Sequence, residues 1–315
     1  MRDGIICIDK PAEHTSFDVI ARVRGILHMK KVGHAGTLDP MTTGVLPVFL
    51  GRATKACDIL PVQDKRYRAR FQLGVTTDTQ DCTGTVLERR EVRVSREELI
   101  AAIRSFEGEQ MQLPPMYSAI QVGGRRLYDI AREGGTVERT PRPVTFYSIE
   151  ILDLGEDWAE IDVHCSKGSY IRTLCHDIGE KLGCGSVMIA LERTASGMFK
   201  INDAVSLSEI EHMSHDDIDE ILVGADFPLV HFGRAVVDRE TGIKFADGFH
   251  LPLNKCRIDR KPEFEDKDFV MEINPKYRKT YNVYMETAGS LTFLGVAYFS
   301  EKYKKLVADK VFYKR

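Results

Sequence analysis

The chain has 315 residues, 43% of them hydrophobic, which is enough for one large core and a second small one. No apolar run approaches the roughly 18–20 residues that cross a membrane, and the first strand-like run comes too early for a signal peptide. We therefore expect a cytoplasmic protein with no membrane association. The seven scattered cysteines include no CxxC pair, which favours reduced structural thiols over a metal or redox site.

The net charge of −3 is unevenly distributed along the chain. Residues 20–70 hold ten Lys or Arg against three acids, and residues 233–315 hold seventeen against twelve. Between these blocks, residues 205–226 hold seven carboxylates and no Lys or Arg. Two basic blocks around an acidic spacer favour an anionic polymer as the ligand, although either block alone is more typical of a solvated face.

The predicted elements mix strands and helices without a regular βαβ repeat. Residues 66–73 alternate strictly, with Tyr67 on an apolar face and three arginines on the other, which can meet phosphate. Further strands are predicted at 144–154 and 159–165, and a helix at 170–182. Capping boxes at Ser95 and Ser206 predict two more helix starts. This mixture indicates an α/β or α+β core with a mixed sheet.

The pattern changes near residues 226–235. The rest of the chain is rich in short β-type runs, such as 270–273 and 291–299, and it predicts a small β-barrel-like domain. The heavily charged stretch 257–281 is predicted to be a flexible loop within that domain.

Residues 32–47 contain three glycines and two prolines, so neither a helix nor a strand is expected to run through them. The predicted loop presents a single carboxylate, Asp39, whose backbone Pro40 restricts to extended geometry. A stiff loop with one acid suits a reactive site. On the residues alone, however, a turn-forming aspartate explains the pattern slightly better, because Asp-Pro turns are common.

The run 33–40 with 44–46 resembles the signature of the TruB family of tRNA pseudouridine-55 synthases. Five further blocks of the sequence resemble the family and occur in the family's order. They are residues 8–11, 65–67, 74–84, 114–119 with 124–128, and 166–174. The resemblance is strong over residues 3–230. The tail resembles the family's small PUA-type RNA-binding domain more weakly, and the charged stretch 257–281 has no counterpart there.

The resemblance implies an α+β fold with a mixed, mainly antiparallel sheet flanked by helices, followed by a PUA-like β-barrel. It implies an isomerase that converts the T-loop uridine of tRNA to pseudouridine by base flipping, with no cofactor and no metal. Asp39 would be the nucleophile, and Arg172 would pair with it and keep it ionised. Tyr67 would stack on the base as a candidate acceptor of the C5 proton, and Leu191 would form the floor of the pocket.

The resemblance also assigns contacts with the substrate. His34 would fill the gap left by the flipped base, Lys10 and Pro11 would brace the site, and Tyr170 would contact the substrate. The remaining assignments are basic side chains that would hold RNA phosphates, the last two of them on a clamping insert at about 105–145: Arg22, Arg24, Lys30, Lys31, Arg125 and Arg126. Four of the assigned residues also have an ordinary structural explanation: Tyr67 and Leu191 suit a core, and Arg172 and His34 suit a surface.

The implied organisation is a catalytic domain at 1–232 and a PUA-like RNA-binding domain at 233–315. The expected partner is the T-arm of tRNA, with no obligatory protein partner and a monomeric state. The point of nucleophilic attack, C1′ or C6, and the range of RNA substrates stay open.

Three other functions compete with this one. The RNA-guided catalytic subunit of the same superfamily shares the Asp39 motif and the tail domain. A non-catalytic RNA-folding chaperone would use the basic surface alone. A metal or serine hydrolase would use His164, Cys175 and His176, but no ligand spacing surrounds them, and the adjacent Cys175 and His176 point different ways on a helix.

Overall fold

The computed structural model describes residues 3–118, 120–267, 270–271 and 273–314. The helices in these residues are α1 (Ser16–Leu27), α2 (Arg96–Arg104), α3 (Leu127–Arg132), α4 (Ile171–Lys181), α5 (Leu207–His212), α6 (His215–Ile221) and α7 (Arg239–Ala246). The strands are β1 (Gly4–Lys10), β2 (Val32–His34), β3 (Thr43–Leu50), β4 (Lys65–Leu73), β5 (Val75–Thr77), β6 (Val86–Arg89), β7 (Gly108–Gln112), β8 (Gln121–Val122), β9 (Arg125–Arg126), β10 (Arg142–Leu154), β11 (Trp158–Cys165), β12 (Ser186–Ser196), β13 (Phe199–Lys200), β14 (Val205–Ser206), β15 (Gly233–Val237), β16 (Leu251–Pro252), β17 (Arg257–Arg260), β18 (Thr280–Thr287), β19 (Ser290–Ser300) and β20 (Lys305–Val311). None of the described helices is long and apolar enough to span a membrane.

The chain divides into two compact units that interleave along the sequence. The first unit comprises Met1–Pro40, Gly44–Gln63 and Ser196–Arg315, and the second comprises Met41–Thr43 and Asp64–Ala195. The catalytic and tail domains at 1–232 and 233–315 stay a prediction.

The second unit is built on the strand order β12-β4-β11-β10-β7. Strand β4 runs antiparallel to β11, with Tyr67 opposite Val163, and β11, β10 and β7 continue the antiparallel pattern. The apolar face of β4 is buried as the alternation predicted, with Ala69 and Phe71 fully inaccessible. Helices α2 and α4 pack on this sheet and on each other.

The opposite face of β4 carries the three predicted arginines, and each of them contacts a neighbouring strand. Arg66 lies 3.7 Å from Asp162, and Arg68 lies 3.9 Å from Glu160. The guanidinium of Arg70 stacks 3.6 Å from the centre of the Trp158 ring. Each of the three arginines therefore has a carboxylate or an aromatic ring beside it within the sheet, while Arg66 and Arg68 stay about half exposed.

Local hydrogen bonding explains where the predicted helices begin. The Ser95 hydroxyl accepts from the Glu98 N–H while the Glu98 carboxylate accepts from the Ser95 N–H, which confirms the predicted capping box of α2. The same reciprocal pair at Ser206 and Glu209 starts α5, also as predicted.

The first unit contains a small sheet at its amino-terminal end and a six-stranded sheet formed by the tail. In the small sheet β1 lies between β14 and β3, pairing in parallel with β14 and antiparallel with β3, and β2 pairs with β3. The tail sheet has the order β16-β20-β19-β18-β15-β17, antiparallel except for β15 with β18. One hydrophobic cluster contains Ile5 and Phe49 of the small sheet together with Val296 and Phe312 of the tail.

The charged stretch 257–281 contacts the tail sheet, and it is not a loop throughout its described residues because Arg257–Arg260 form a strand. Its first residues form β17, which pairs with β15. The rings of Phe264 and Tyr277 each lie 6.1 Å from the ring of Phe232, and Asp309 accepts hydrogen bonds from Lys276 and from the Tyr277 hydroxyl. Packing of these two partly buried rings ties the stretch to Phe232 in spite of its charge. The predicted flexibility of the rest of the stretch stays a prediction.

Two runs in the tail were predicted to form strands. The run at 291–299 is confirmed as part of β19. In the run at 270–273, Met271 forms an isolated bridge with Val62, and residue 272 lies outside the described residues.

Candidate functional site

The loop that carries Asp39 is shorter than the glycine and proline content predicted. Strands β2 and β3 take up the ends of the segment 32–47 and leave residues 35–42 as the loop. A glycine and a proline fit in these strands because Gly33 pairs opposite Phe49, and Pro47 still supplies its carbonyl to the Ala35 N–H at 3.3 Å. The shorter loop leaves fewer residues free to move around Asp39.

The residues on both sides of Asp39 are held by side chains from elsewhere in the first unit. The N–H of Leu38 donates to the Ser16 hydroxyl at 2.9 Å, and the same hydroxyl donates back to the Leu38 carbonyl at 3.3 Å. The Pro40 carbonyl accepts from the Lys10 ammonium at 3.1 Å. With Leu38 buried and Asp39 half-buried, these contacts fix the backbone on both sides of the carboxylate.

Lys10 ends β1 with a side chain that has no solvent exposure. Besides Pro40, its ammonium donates to the carbonyls of Pro11 at 2.8 Å and His14 at 2.6 Å. A buried ammonium surrounded by carbonyl oxygens is well satisfied, and here it joins the turn after β1 to the Asp39 loop. These contacts are compatible with the predicted bracing role of Lys10 and Pro11, which stays a prediction.

His34 lies at the end of β2, opposite Val48, and is half-buried at the base of the loop. This location is compatible with the predicted role in filling the gap left by a flipped base. The role itself stays a prediction.

The four basic residues of the amino-terminal part that are predicted to hold phosphates differ in their surroundings. Arg24 donates to the Val32 carbonyl at 3.0 Å and so joins α1 to β2. Arg22 pairs with Glu211 of α5 at 2.5 Å. Lys30 and Lys31 are exposed. Arg24 therefore has a structural contact that explains it, whereas Lys30 and Lys31 are open to an RNA ligand.

The proposed walls of the base pocket lie on neighbouring strands of the second unit. Tyr67 of β4 is 9% exposed and Leu191 of β12 is 8% exposed. Both side chains are mostly buried and keep a small solvent-exposed area, which suits either a core position or the wall of a pocket. Their roles toward a base stay predictions.

Arg172 is buried, although helical spacing alone suggested a surface position. Its guanidinium donates to the Asp81 carboxylate at 3.3 Å, to the Thr79 carbonyl at 3.0 Å and to the Tyr117 carbonyl at 2.9 Å. Arg172 and Asp81 are each 5% exposed, so the ion pair is largely removed from water. The predicted pairing with Asp39 stays a prediction.

Asp81 is a candidate that the sequence analysis did not single out. It ends the run 74–81 of the family resemblance. A carboxylate at this place gives no local sign of its partner, which lies 91 residues away in the sequence. Its buried contact with Arg172 makes it a positioning residue for that guanidinium.

Tyr170 precedes α4 and is tied to the clamping insert. The side-chain amide of the buried Gln112 accepts from the Tyr170 N–H at 2.8 Å and donates to its carbonyl at 3.0 Å. In the same insert, Arg125 and Arg126 are exposed on the hairpin of β8 and β9, where Arg125 pairs with Glu133 at 2.7 Å. Both arginines are accessible to a large anionic ligand.

The three residues on which a hydrolase would depend lie in surroundings that do not activate a nucleophile. Burial raises the pKa of the Cys175 thiol, so the reactive thiolate is disfavoured. Burial also lowers the pKa of His176. His164 is engaged with the carboxylate of Asp64 at 2.5 Å. None of Cys175, His176 and His164 is therefore an activated nucleophile, which disfavours the hydrolase hypothesis.

Asp177, in the same helix, gives a pH-dependent prediction. Burial raises its pKa from 3.8 to about 6, and the charge of Glu180 adds to the effect. Because the pKa of Asp177 is higher in the folded than in the unfolded chain, protonation of this carboxyl stabilises the fold. This contribution to the free energy of unfolding is fully present below pH 3.8 and is lost as the pH rises through about 6. Asp177→Asn should therefore increase the free energy of unfolding at pH 8 by about 1–2 kcal/mol, after allowance for partial exposure, and change it little at pH 4. Urea denaturation at the two pH values measures this, and an equal effect at both would contradict it.

Comparison with solved structures identifies the class of fold. A crystal structure of a Cbf5–Nop10–Gar1 complex matches 99% of this chain and 85% of that chain with a TM-score of 0.72 and 24% identity. The archaeal box H/ACA Nop10–Cbf5 complex matches with a TM-score of 0.69 and 25% identity, over 99% of this chain and 86% of that chain. The chain has the α+β fold of the pseudouridine synthases, as predicted, and its tail sheet is consistent with a PUA-like domain.

Comparison of sequences identifies the family. The model of the TruB family pseudouridylate synthase N-terminal domain matches residues 24–171, and that of the tRNA pseudouridylate synthase B C-terminal domain matches residues 172–229. The tRNA pseudouridine synthase B of Alkaliphilus oremlandii is 48% identical over 75% of this chain and 78% of its own length. That of Clostridium acetobutylicum is 39% identical over 97% and 98%. The chain belongs to the TruB family of pseudouridylate synthases.

Proposed function

We propose that this protein is a stand-alone tRNA pseudouridine-55 synthase, an isomerase that converts the T-loop uridine of tRNA to pseudouridine. The observation that carries the proposal is the loop 35–42, in which the neighbours of Asp39 are fixed by Ser16 and Lys10. That loop lies within the segment that matches the family of pseudouridylate synthases. Relatives of 39–48% identity are tRNA pseudouridine synthases B.

The reaction needs one nucleophile and two proton movements, one from C5 and one to N1. The bond between N1 and C1′ breaks, the uracil turns, and a new bond joins C5 to C1′. The C5 proton must then leave, and N1 must gain a proton, so product and substrate have the same composition. Asp39 is the nucleophile at C1′ or C6 in this scheme, and the bond that it forms with the nucleoside breaks again before pseudouridine leaves. The oxygen of the Tyr67 hydroxyl accepts the C5 proton while its own proton passes to solvent, from which N1 is protonated.

Arg172 is proposed to hold Asp39 in its ionised form. An opposite charge nearby favours the carboxylate and lowers its pKa. The contact of Asp81 with Arg172 would fix the orientation of the guanidinium, and the carbonyls of Thr79 and Tyr117 satisfy its other N–H groups. A guanidinium held by three acceptors is preorganised and does not have to reorganise during the reaction.

Binding of the target requires that the uridine leave its stack. His34 is proposed to take the place of the base, and Tyr67 and Leu191 to enclose it, at a cost of a few kcal/mol in lost stacking. Tyr170 would contact the same nucleotide. The phosphate contacts proposed for Arg22, Arg24, Lys30, Lys31, Arg125 and Arg126 would make the affinity fall steeply with salt.

The Tyr67→Phe variant tests the proton transfer. It removes the hydroxyl and keeps the ring, so we expect tRNA affinity within about twofold of wild type and a loss of turnover of at least about 10²-fold. Filter binding and single-turnover pseudouridine formation measure the two quantities. Turnover equal to that of wild type would remove the Tyr67 hydroxyl from the mechanism.

The likeness to Cbf5 complexes, which covers 99% of this chain, keeps a partner-dependent enzyme as the rival. Incubation of the purified chain with a bare T-arm hairpin separates the two readings. A stand-alone enzyme forms pseudouridine in the loop of that hairpin without any other RNA or protein. Product that forms only after a guide RNA or a partner protein is added would favour the rival.

A further inference from the structure

A group of four cations lies in the first unit, formed by residues that are distant in sequence. Lys31 precedes β2, Arg52 and Lys55 lie on the 3₁₀ turn Gly51–Ala56 that follows β3, and Lys310 lies near the end of β20. The Gly51 N–H donates to the Lys31 carbonyl at 2.8 Å, which brings the first two segments together. We call Lys31, Arg52, Lys55 and Lys310 the distal patch.

Direct contacts join the third segment to the other two. The Lys55 ammonium donates to the Val311 carbonyl at 2.5 Å, one residue beyond Lys310. The Lys310 ammonium lies 3.5 Å from the carboxylate of Asp58, which follows the 3₁₀ turn. The patch is therefore a continuous surface made by the amino-terminal part of the chain and by the tail.

The positive charges of the patch exceed the negative charges set against them. Arg52 is paired with Asp3, and Lys310 with Asp58, whose side chain is 78% exposed. Burial lowers the pKa of Lys55, and the charges of Lys31, Arg52 and Lys310 lower it further, while Asp3 opposes them. Side chains of like charge held this close favour a polyanion that would neutralise them.

The patch lies at the far end of β3 from the Asp39 loop. Gly44 at the start of β3 pairs with Lys10, which contacts Pro40, whereas Leu50 at its end leads into the 3₁₀ turn. The six residue steps from Gly44 to Leu50 span roughly 20 Å. An RNA that fills the catalytic loop and also reaches the patch must extend well beyond the target nucleotide.

We propose that the distal patch binds phosphates of the tRNA backbone outside the T-arm hairpin. The proposal rests on the proposed function, because it takes its ligand from that reaction. It assigns Lys55 and Lys310, which the sequence motifs do not include, to substrate binding. It also gives the carboxylate of Asp58 an opposing role, since Asp58 reduces the positive charge that Lys310 offers to RNA.

Two substitutions of opposite sign test the patch. Lys310→Gln removes a cation, and we expect it to weaken binding of full-length tRNA about three- to tenfold and to lower the slope of log K against log salt by about one. Asp58→Asn removes the opposing carboxylate and should tighten binding about two- to threefold. Both should leave kcat at saturating tRNA unchanged, because neither lies near the Asp39 loop.

Lys302→Gln is the matched control, since Lys302 is exposed in the turn between β19 and β20, at the opposite end of β20 from Lys310. The three variants are compared with wild type by filter binding to full-length tRNA and to the isolated T-arm hairpin, each with cytidine at the target position to prevent conversion. On the hairpin we expect every variant to bind within twofold of wild type. On full-length tRNA we expect Lys302→Gln to bind like wild type, Lys310→Gln to bind more weakly and Asp58→Asn to bind more tightly.

Two results would overturn the proposal. One is equal binding of full-length tRNA by the Lys310 and Lys302 variants. The other is an effect of Lys310→Gln on the hairpin as large as that on the full tRNA, which would place the patch on the T-arm. Pseudouridine formation by the wild-type chain is measured alongside, so a failure of the proposed function is seen as an inactive wild type, whereas an active wild type with unaffected variants removes the patch alone.

Discussion

Replacement of Asp39 by asparagine is expected to abolish pseudouridine formation, with a loss of at least about 10⁴-fold in the single-turnover rate, while tRNA binding stays within about threefold of wild type. The amide keeps the size of the side chain but is a poor nucleophile. The backbone on either side is held by Ser16 and Lys10 through contacts that do not involve the carboxylate, so the loop should keep its shape.

The control for Asp39→Asn is the same substitution at Asp203, which is exposed on a short 3₁₀ turn. That variant should react at the wild-type rate. The comparison also separates the enzyme from a non-catalytic RNA chaperone. A chaperone predicts that cells carrying the Asp39 variant keep all benefit of the protein, and substantial residual product from that variant would contradict the nucleophile assignment.

Arg172→Lys is expected to lower the single-turnover rate about 10²- to 10³-fold, although the positive charge is kept. The guanidinium serves three acceptors on Thr79, Asp81 and Tyr117 with fixed directions, and an ammonium on a flexible stem cannot reproduce that fork. The variant should also lose about 1–3 kcal/mol of stability, because buried acceptors are left without a donor.

The pH dependence of the reaction distinguishes a role toward Asp39 from a purely structural one. If Arg172 holds Asp39 ionised, the Lys variant should show an acid limb of the rate profile that is displaced to higher pH. Asp81→Asn should displace it in the same direction by a smaller amount, because the guanidinium keeps its charge and loses its orientation. A slower rate with an unmoved acid limb would count against the pairing of Arg172 with Asp39.

The features that the sequence predicted correctly are those set by neighbours in the chain. The alternation in residues 66–73 defines the buried face of β4. The capping box of Ser95 and Glu98, three residues apart, fixes the start of α2. In both cases the interacting groups lie within a few residues of each other, so their spacing is visible in the sequence.

The features that could not be predicted depend on contacts between distant residues. Lys10 contacts Pro40 across 30 residues, and Arg172 contacts Asp81 across 91. Nothing in the helical spacing indicates that Arg172 is buried. The many charged residues in 257–281 likewise gave no sign that two aromatic rings of this stretch pack on Phe232. The family resemblance named the residues of the candidate site, but the groups that contact them became visible only in the folded chain.

The most direct test of the account is to map pseudouridine at single-nucleotide resolution in RNA from cells that lack this chain. The account predicts that pseudouridine disappears from the T-loop uridine of tRNAs, that the wild-type chain restores it, and that the Asp39→Asn chain, expressed at the same level, does not. Restoration by the Asp39→Asn chain, or an unchanged T-loop in its absence, would contradict the assignment of the reaction to this carboxylate.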